Sequence, residues 1–171
     1  MGRSTGLGLV EILIASTVLV IALLALLSVA GNSIRLDAVN RETALASDAV
    51  RMKLEMIRSV PLMHTFARFN ETGTDDPLGP DTAEGSRFEV TLEAHGLGLD
   101  GEIFFPISDT GELREDVVIP EMGMPCDLNG DGLIDDVDHR DDYLILPVLV
   151  RLQWQGTSGA REVSLAGVLL P

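Results

Sequence analysis

Nineteen consecutive residues without charge, proline or glycine, Ile12 to Ala30, constrain this chain more than any other feature. At about 1.5 Å per helical residue they reach nearly 30 Å, the thickness of a bilayer's hydrocarbon core. One carboxylate, Glu11, stands directly before them. A charged side chain in hydrocarbon costs roughly 2.5 to 3.5 kcal/mol at a helix centre and less near an end, so a carboxylate here needs a reason.

A cleavable secretory signal would carry a shorter apolar core, about 7 to 15 residues, before a small-x-small site. Ser28-Val29-Ala30 imitates such a site, but the core is too long and the cationic leader holds little beyond Arg3 and the α-amino group. The run therefore predicts one membrane span, with a single modest domain after it.

The charge of that domain is lopsided. Asp and Glu outnumber Lys and Arg by 27 to 12, and from Glu71 to Asp142 there are 21 acids and three arginines. Nucleic-acid binding needs clustered Lys and Arg to displace phosphate counterions, so no nucleic-acid partner is expected. The acidic half is either solvated or built for cations. Cys126, the one cysteine, excludes an intramolecular disulfide and reads as a small half-buried hydrophobe.

Ahead of the apolar run lie the short polar leader "MGRSTG" and then "LGLVEILIA", with Glu11 five residues after Gly6. This N-terminus resembles the type IV prepilin family, including the pseudopilins of type II secretion systems. The resemblance implies cleavage by a prepilin peptidase after Gly6 and N-methylation of Leu7. Leu7 stands where the family usually has Phe, and Gly8 where a small hydroxylated residue is common. A physical rationale supports Glu11 as an assembly residue: in stacked helices its carboxylate can pair with the α-ammonium group of a neighbouring subunit, so two charges leave water together.

Beyond Gly31-Asn32 the sequence continues "SIRLDAVNRETALASDAVRMKLEMIRSVP", with apolar or small residues at Ile34, Ala38, Leu45, Ala49, Met52 and Met56. That spacing predicts an amphipathic helix, stopped by Pro61. One helix is expected from about Leu7 to Ser59, with Gly31 a flexible point. "RFEVTLEAHG" alternates as a strand, and "YLILPVLVRLQWQ" and "REVSLAGVLLP" flank the turn signal "GTSGA". They predict a terminal hairpin of Val148–Gln155 with Glu162–Leu169, packed on the helix with Trp154 inward.

The expected fold is therefore α+β. Residues 1–6 form a leader, 7–31 a transmembrane and polymerisation helix, and 32–60 its amphipathic continuation. Residues 61–171 form a globular β domain. "ALASDAVRMKLEMIRSVP" and "VRLQWQGTSGAREVSLAGVLLP" are similar to the helix end and terminal hairpin of the minor pilins or pseudopilins of the PilV and GspI types. That likeness implies a small antiparallel sheet wrapping the second half of the first helix.

The sharpest local motif is "DLNGDGLIDDVD", residues 127–138. Asp127, Asn129 and Asp131 hold positions 1, 3 and 5 of a twelve-residue EF-hand-type loop, with Gly132 at 6 and Asp135 and Asp138 at 9 and 12. Ca²⁺ takes six to eight oxygens at about 2.3 to 2.6 Å, so alternate side chains turn inward and the Leu133 carbonyl adds a ligand. Ile134 is expected to point into the core. Asp138 in place of Glu resembles dockerin-type loops, and Gly123 and Pro125 rule out a good entering helix. A structural Ca²⁺ is expected, its binding coupled to local folding as it relieves the repulsion of five acids. Mg²⁺ fits the motif less well, and Zn²⁺ would want more His or Cys.

Catalytic motifs are missing: there is no HExxH, GxSxG or GxxxxGK. His64, His95 and His139 read as surface or satisfied residues. Asp75-Asp76 and Asp141-Asp142 read as solvated charges. The expected protein is not an enzyme but a subunit of a type IV pilus or secretion pseudopilus. It would be held single-pass in a bacterial inner membrane, with its globular part on the periplasmic side, until drawn into a filament. Its partners would be the peptidase, other pilin or pseudopilin subunits, the inner-membrane assembly platform and the lipid bilayer. The alternative is a permanently anchored, calcium-dependent adhesin or binding module that does not polymerise.

Overall fold

The computed structural model describes residues 8–92 and 97–171. The expected cleavage point, Gly6 and Leu7, and His95 with its neighbours fall outside them. The elements run α1 (Leu9–Arg58), α2 (Leu62–Phe69), β1 (Arg87–Leu92), β2 (Leu97–Phe104), a 3-10 turn (Pro120–Met122), β3 (Leu146–Gly156) and β4 (Gly159–Leu169). The chain falls into two units, residues 1–41 and 42–171.

In the first unit every large apolar side chain from Leu9 to Val29 is more than half exposed. α1 is long and apolar enough to cross a membrane. Ser16 and Thr17 donate their hydroxyls back to the Leu13 carbonyl, at 2.9 and 2.7 Å, so neither leaves a bare polar group in the apolar run. Between Ile12 and Val29 there are twelve Leu, Ile and Val residues. At about 0.3 to 0.6 kcal/mol each, their transfer into lipid outweighs the roughly 3 kcal/mol that a carboxylate costs. Gly31 sits within the helix, which continues past it.

In the second unit α1 buries Glu42, Ala46, Ala49, Val50, Leu54 and Ile57. These positions recur every three or four residues and make one stripe. The sequence placed the stripe on a different face. Ala49 lies on both, but Ile34, Met52 and Met56 are 70, 67 and 40 % exposed. The buried face is made of small and medium side chains because a sheet packs closely on it. At Gly167 of β4 an added Cβ would come within 3.3 Å of Leu54 Cδ2, so larger residues on either side would push helix and sheet apart.

The sheet is an antiparallel meander in the order β1-β2-β3-β4. The terminal hairpin appears as expected but longer, β3 at both ends and β4 on the turn side, with Gly156 opposite Gly159 and Thr157-Ser158 as the two-residue turn. β4 alternates strictly between half-buried and exposed positions, as a strand with one covered face should. β3 is buried on both faces from Leu146 to Val150, where the 3-10 turn lies against it and β4. Trp154 is buried, as expected. Glu42 holds the turn: its carboxylate accepts the Thr157 hydroxyl and backbone N–H, which keeps it below the usual carboxylate range despite burial.

α2, β2 and the 3-10 turn were not anticipated. α2 follows Pro61 directly and buries Phe66 and Phe69. Phe66 meets Phe105 edge to face at 5.4 Å, and Tyr143 donates its hydroxyl to the Leu62 carbonyl. β2 pairs with β1 through Gly101, whose missing Cβ makes room for the Phe88 ring laid across it.

Candidate metal centre

The predicted calcium loop lies in the long connection from Phe105 to Ile145, between β2 and β3. Its entry is fixed by backbone bonds: the Leu128 carbonyl accepts the N–H groups of Leu144 and Ile145, at 2.7 and 3.1 Å. Leu128 is fully buried and fills the core position under the loop. Ile134, expected to point into the core, is instead 51 % exposed, and the buried residue of the loop is Leu128.

Residues 127–133 curl round their own side chains. The Asp127 carboxylate accepts N–H bonds from Gly130 at 2.6 Å and Gly132 at 2.8 Å. Asn129 Oδ1 takes the Asp131 N–H at 2.9 Å, and Asp131 Oδ1 takes the Leu133 N–H at 2.8 Å. Gly132 has φ +86°, a conformation that a side chain would strain. Each of these three side chains thus folds the backbone toward its own oxygens, as a loop that presents alternate side chains requires.

The second half of the motif turns elsewhere. Asp135 Oδ1 accepts the Val137 N–H at 2.9 Å and faces His139 Nε2 at 3.1 Å; both hold its carboxyl below the usual range, the backbone bond foremost. Asp138 accepts the Leu113 N–H at 3.2 Å and Arg140 Nε at 2.6 Å. Leu133 exposes its side chain.

His139 is 3 % exposed and sits among three carboxylates: Asp135, Asp142 at 3.0 Å from Nδ1, and Glu115 at 3.7 Å from Nε2. Burial alone would lower its pKa, but bonds to Asp135 and Asp142 and the charge of Glu115 outweigh it and raise the value. Asp142 is therefore a partner of His139 and not a merely solvated charge. The other acidic pair is also engaged. Asp76 Oδ2 accepts the Thr82 and Ala83 N–H groups, at 2.7 and 2.9 Å, and Asp75 Oδ2 accepts the Asn70 side-chain amide at 2.9 Å. Short loops here use carboxylates to satisfy backbone that no sheet or helix covers.

Among the described residues, Glu115, Asp135 and His139 offer ligand atoms within 4.8 Å of one another, a grouping that could hold a metal ion. Of the motif's side chains, only Asp135 belongs to it. Glu115 was not singled out in the sequence, where "GELREDVV" looks like solvated charge. It is 1 % exposed, and Leu128, Asn129 and Asp135 all donate backbone N–H groups to it. Cys126 is half-buried and free, near Met124 Sδ at 3.2 Å; burial, then the charges of Glu115 and Asp127, push its thiol up, which disfavours the reactive thiolate.

Glu11, the other predicted functional side chain, lies in the first turn of α1, where a negative charge suits the helix dipole. Comparison with known proteins gave no match: no family model, no curated protein and no solved structure corresponds to this chain.

Proposed function

We propose that this chain is a prepilin-like assembly subunit, a minor pilin or pseudopilin. It would be cleaved after Gly6, N-methylated on Leu7, and stored in a bacterial inner membrane before entering a pilus or secretion pseudopilus. The observation that carries this reading is a single helix, Leu9–Arg58, whose first half exposes its apolar side chains while a sheet covers part of its second half. A plain anchor needs only the span. A polymerising subunit needs a span that can leave lipid and pack against copies of itself, with a carboxylate such as Glu11 to set the register.

The calcium loop at Asp127, Asn129, Asp131, Leu133, Asp135 and Asp138 would stabilise the globular unit and take no part in chemistry. The curl of residues 127–133 around Asp127 supports it, since a loop that wraps a cation needs a tight turn over its first six positions.

Mass spectrometry of the mature N-terminus, in a host that has the peptidase, tests the assembly reading. The expected species starts at methylated Leu7, and a Gly6→Asp variant accumulates uncut. A mature chain beginning elsewhere refutes it. Glu11→Ala should insert in the membrane but fail to enter filaments; equal incorporation would remove Glu11 as the assembly residue, and a wild type that inserts but never enters filaments would favour the permanently anchored binding module.

A further inference from the structure

Glu115 stands outside the twelve-residue motif, yet it is the group that bonds both halves of it among the described residues. The first half is linked internally through Asp127, Asn129 and Asp131, and the second half reaches Val137, His139, Leu113 and Arg140. Glu115 Oε1 accepts the N–H groups of Leu128 at 2.5 Å and Asn129 at 3.2 Å, which are loop positions 2 and 3. Its Oε2 accepts the N–H of Asp135, position 9, at 3.4 Å. One buried carboxylate therefore spans the gap between the entry of the loop and its ninth residue.

We propose that Glu115 is the positioning residue of the calcium loop, setting how far Asp135 stands from Asp127 and so both the affinity for Ca²⁺ and the number of waters left on the ion. The inference rests on reading residues 127–138 as a calcium loop. Ca²⁺ needs oxygens from both halves within about 2.6 Å of one point. Without an anchor, part of the binding energy is spent drawing the halves together; with Glu115 that ordering is built into the fold. Glu115 is poorly placed to serve as a ligand through Oε1, because two N–H donors already occupy that oxygen's lone pairs. Its buried charge is balanced by three N–H donors and by His139 at 3.7 Å.

The test uses the full chain in detergent micelles, titrated with Ca²⁺ and with Tb³⁺ as a luminescent substitute whose lifetimes in H₂O and D₂O count bound waters. Wild type should bind one ion, and Asp131→Ala should abolish binding. Glu115→Gln keeps the size but can accept through one oxygen alone, and should weaken Ca²⁺ binding about 10- to 100-fold, the range seen for groups that orient metal ligands. It should also admit one more water to bound Tb³⁺. Glu115→Asp, which keeps the charge and shortens the reach, should do the same and serves if the Gln variant does not fold. A Glu115→Gln protein with a lowered melting temperature but unchanged affinity and hydration overturns the proposal, leaving Glu115 a structural residue. Binding that survives Asp131→Ala and disappears in His139→Ala also overturns it, since the ion would then sit on Glu115, Asp135 and His139. A wild type that binds no Ca²⁺ removes the loop reading itself and the inference with it.

Discussion

The two halves of α1 reverse the usual relation between hydrophobicity and burial. Residues 9–29 are strongly apolar, and every large apolar side chain among them is exposed; residues 42–57 include Glu42, Arg51 and Lys53 and supply part of the core. A side chain's own polarity does not decide where it ends up. What decides is whether a second surface is available to cover it, and within the globular unit only the later half meets a sheet. The first half's exposed apolar surface has its natural complement in a bilayer or in other apolar helices.

Truncating the same residue type in both halves should break the symmetry of one continuous helix. Leu54→Ala is expected to destabilise the globular unit by about 2 to 5 kcal/mol, since Leu54 is buried against Gly167 and leaves a cavity. Leu24→Ala should leave its melting temperature unchanged within error. Thermal unfolding of both variants in one detergent decides, and an equal loss would mean that the halves share a cooperative core.

Leu24→Arg sharpens the contrast from the other side. It should disfavour membrane insertion by roughly 2.5 to 3.5 kcal/mol, read by fractionation or a glycosylation-site reporter, with the globular unit still folded.

The smallest expected effect concerns Glu42, the buried acid on the covered face. Its pKa is lowered in the folded protein, so the stabilisation is present above the ordinary carboxyl range and is lost as pH falls through the folded value. Glu42→Ala should cost about 1 to 3 kcal/mol at neutral pH, because the Thr157 N–H and hydroxyl lose their acceptor. That deficit should shrink as the pH approaches 3. Melting curves from pH 7 to 3 check it; a difference that does not change with pH would mean that Glu42 acts through packing.

The same contrast explains what was legible in the residues. The C-terminal end of α1, the terminal hairpin and the acidic loop follow from Pro61, from alternation around "GTSGA" and from the spacing of Asp127, Asn129 and Asp131. The covered face of α1 was misread because Met52 and Met56 look like core residues, whereas the true stripe carries alanines and a glutamate. β2 escaped notice because Gly98, Asp100, Gly101 and Glu102 resemble a loop, whereas Gly101 pairs with Phe88 of β1 and Leu152 of β3 and carries the Phe88 ring across it. Glu115 bears no local mark, since the N–H groups that define it are 13 to 20 positions away; His139 has Asp135 and Asp142 close by in sequence, and only the fold adds Glu115 to them.

The clamp between Glu42 and Thr157 also governs timing. The two residues are 115 positions apart, so at about 5 to 20 residues per second the helix is made roughly 6 to 23 s before its clasp exists. Throughout that interval β4, whose Gly167 lies against Leu54, has not been made. The globular unit can close only after the β3–β4 hairpin has been synthesised, and the chain must be kept from aggregating until β4 arrives.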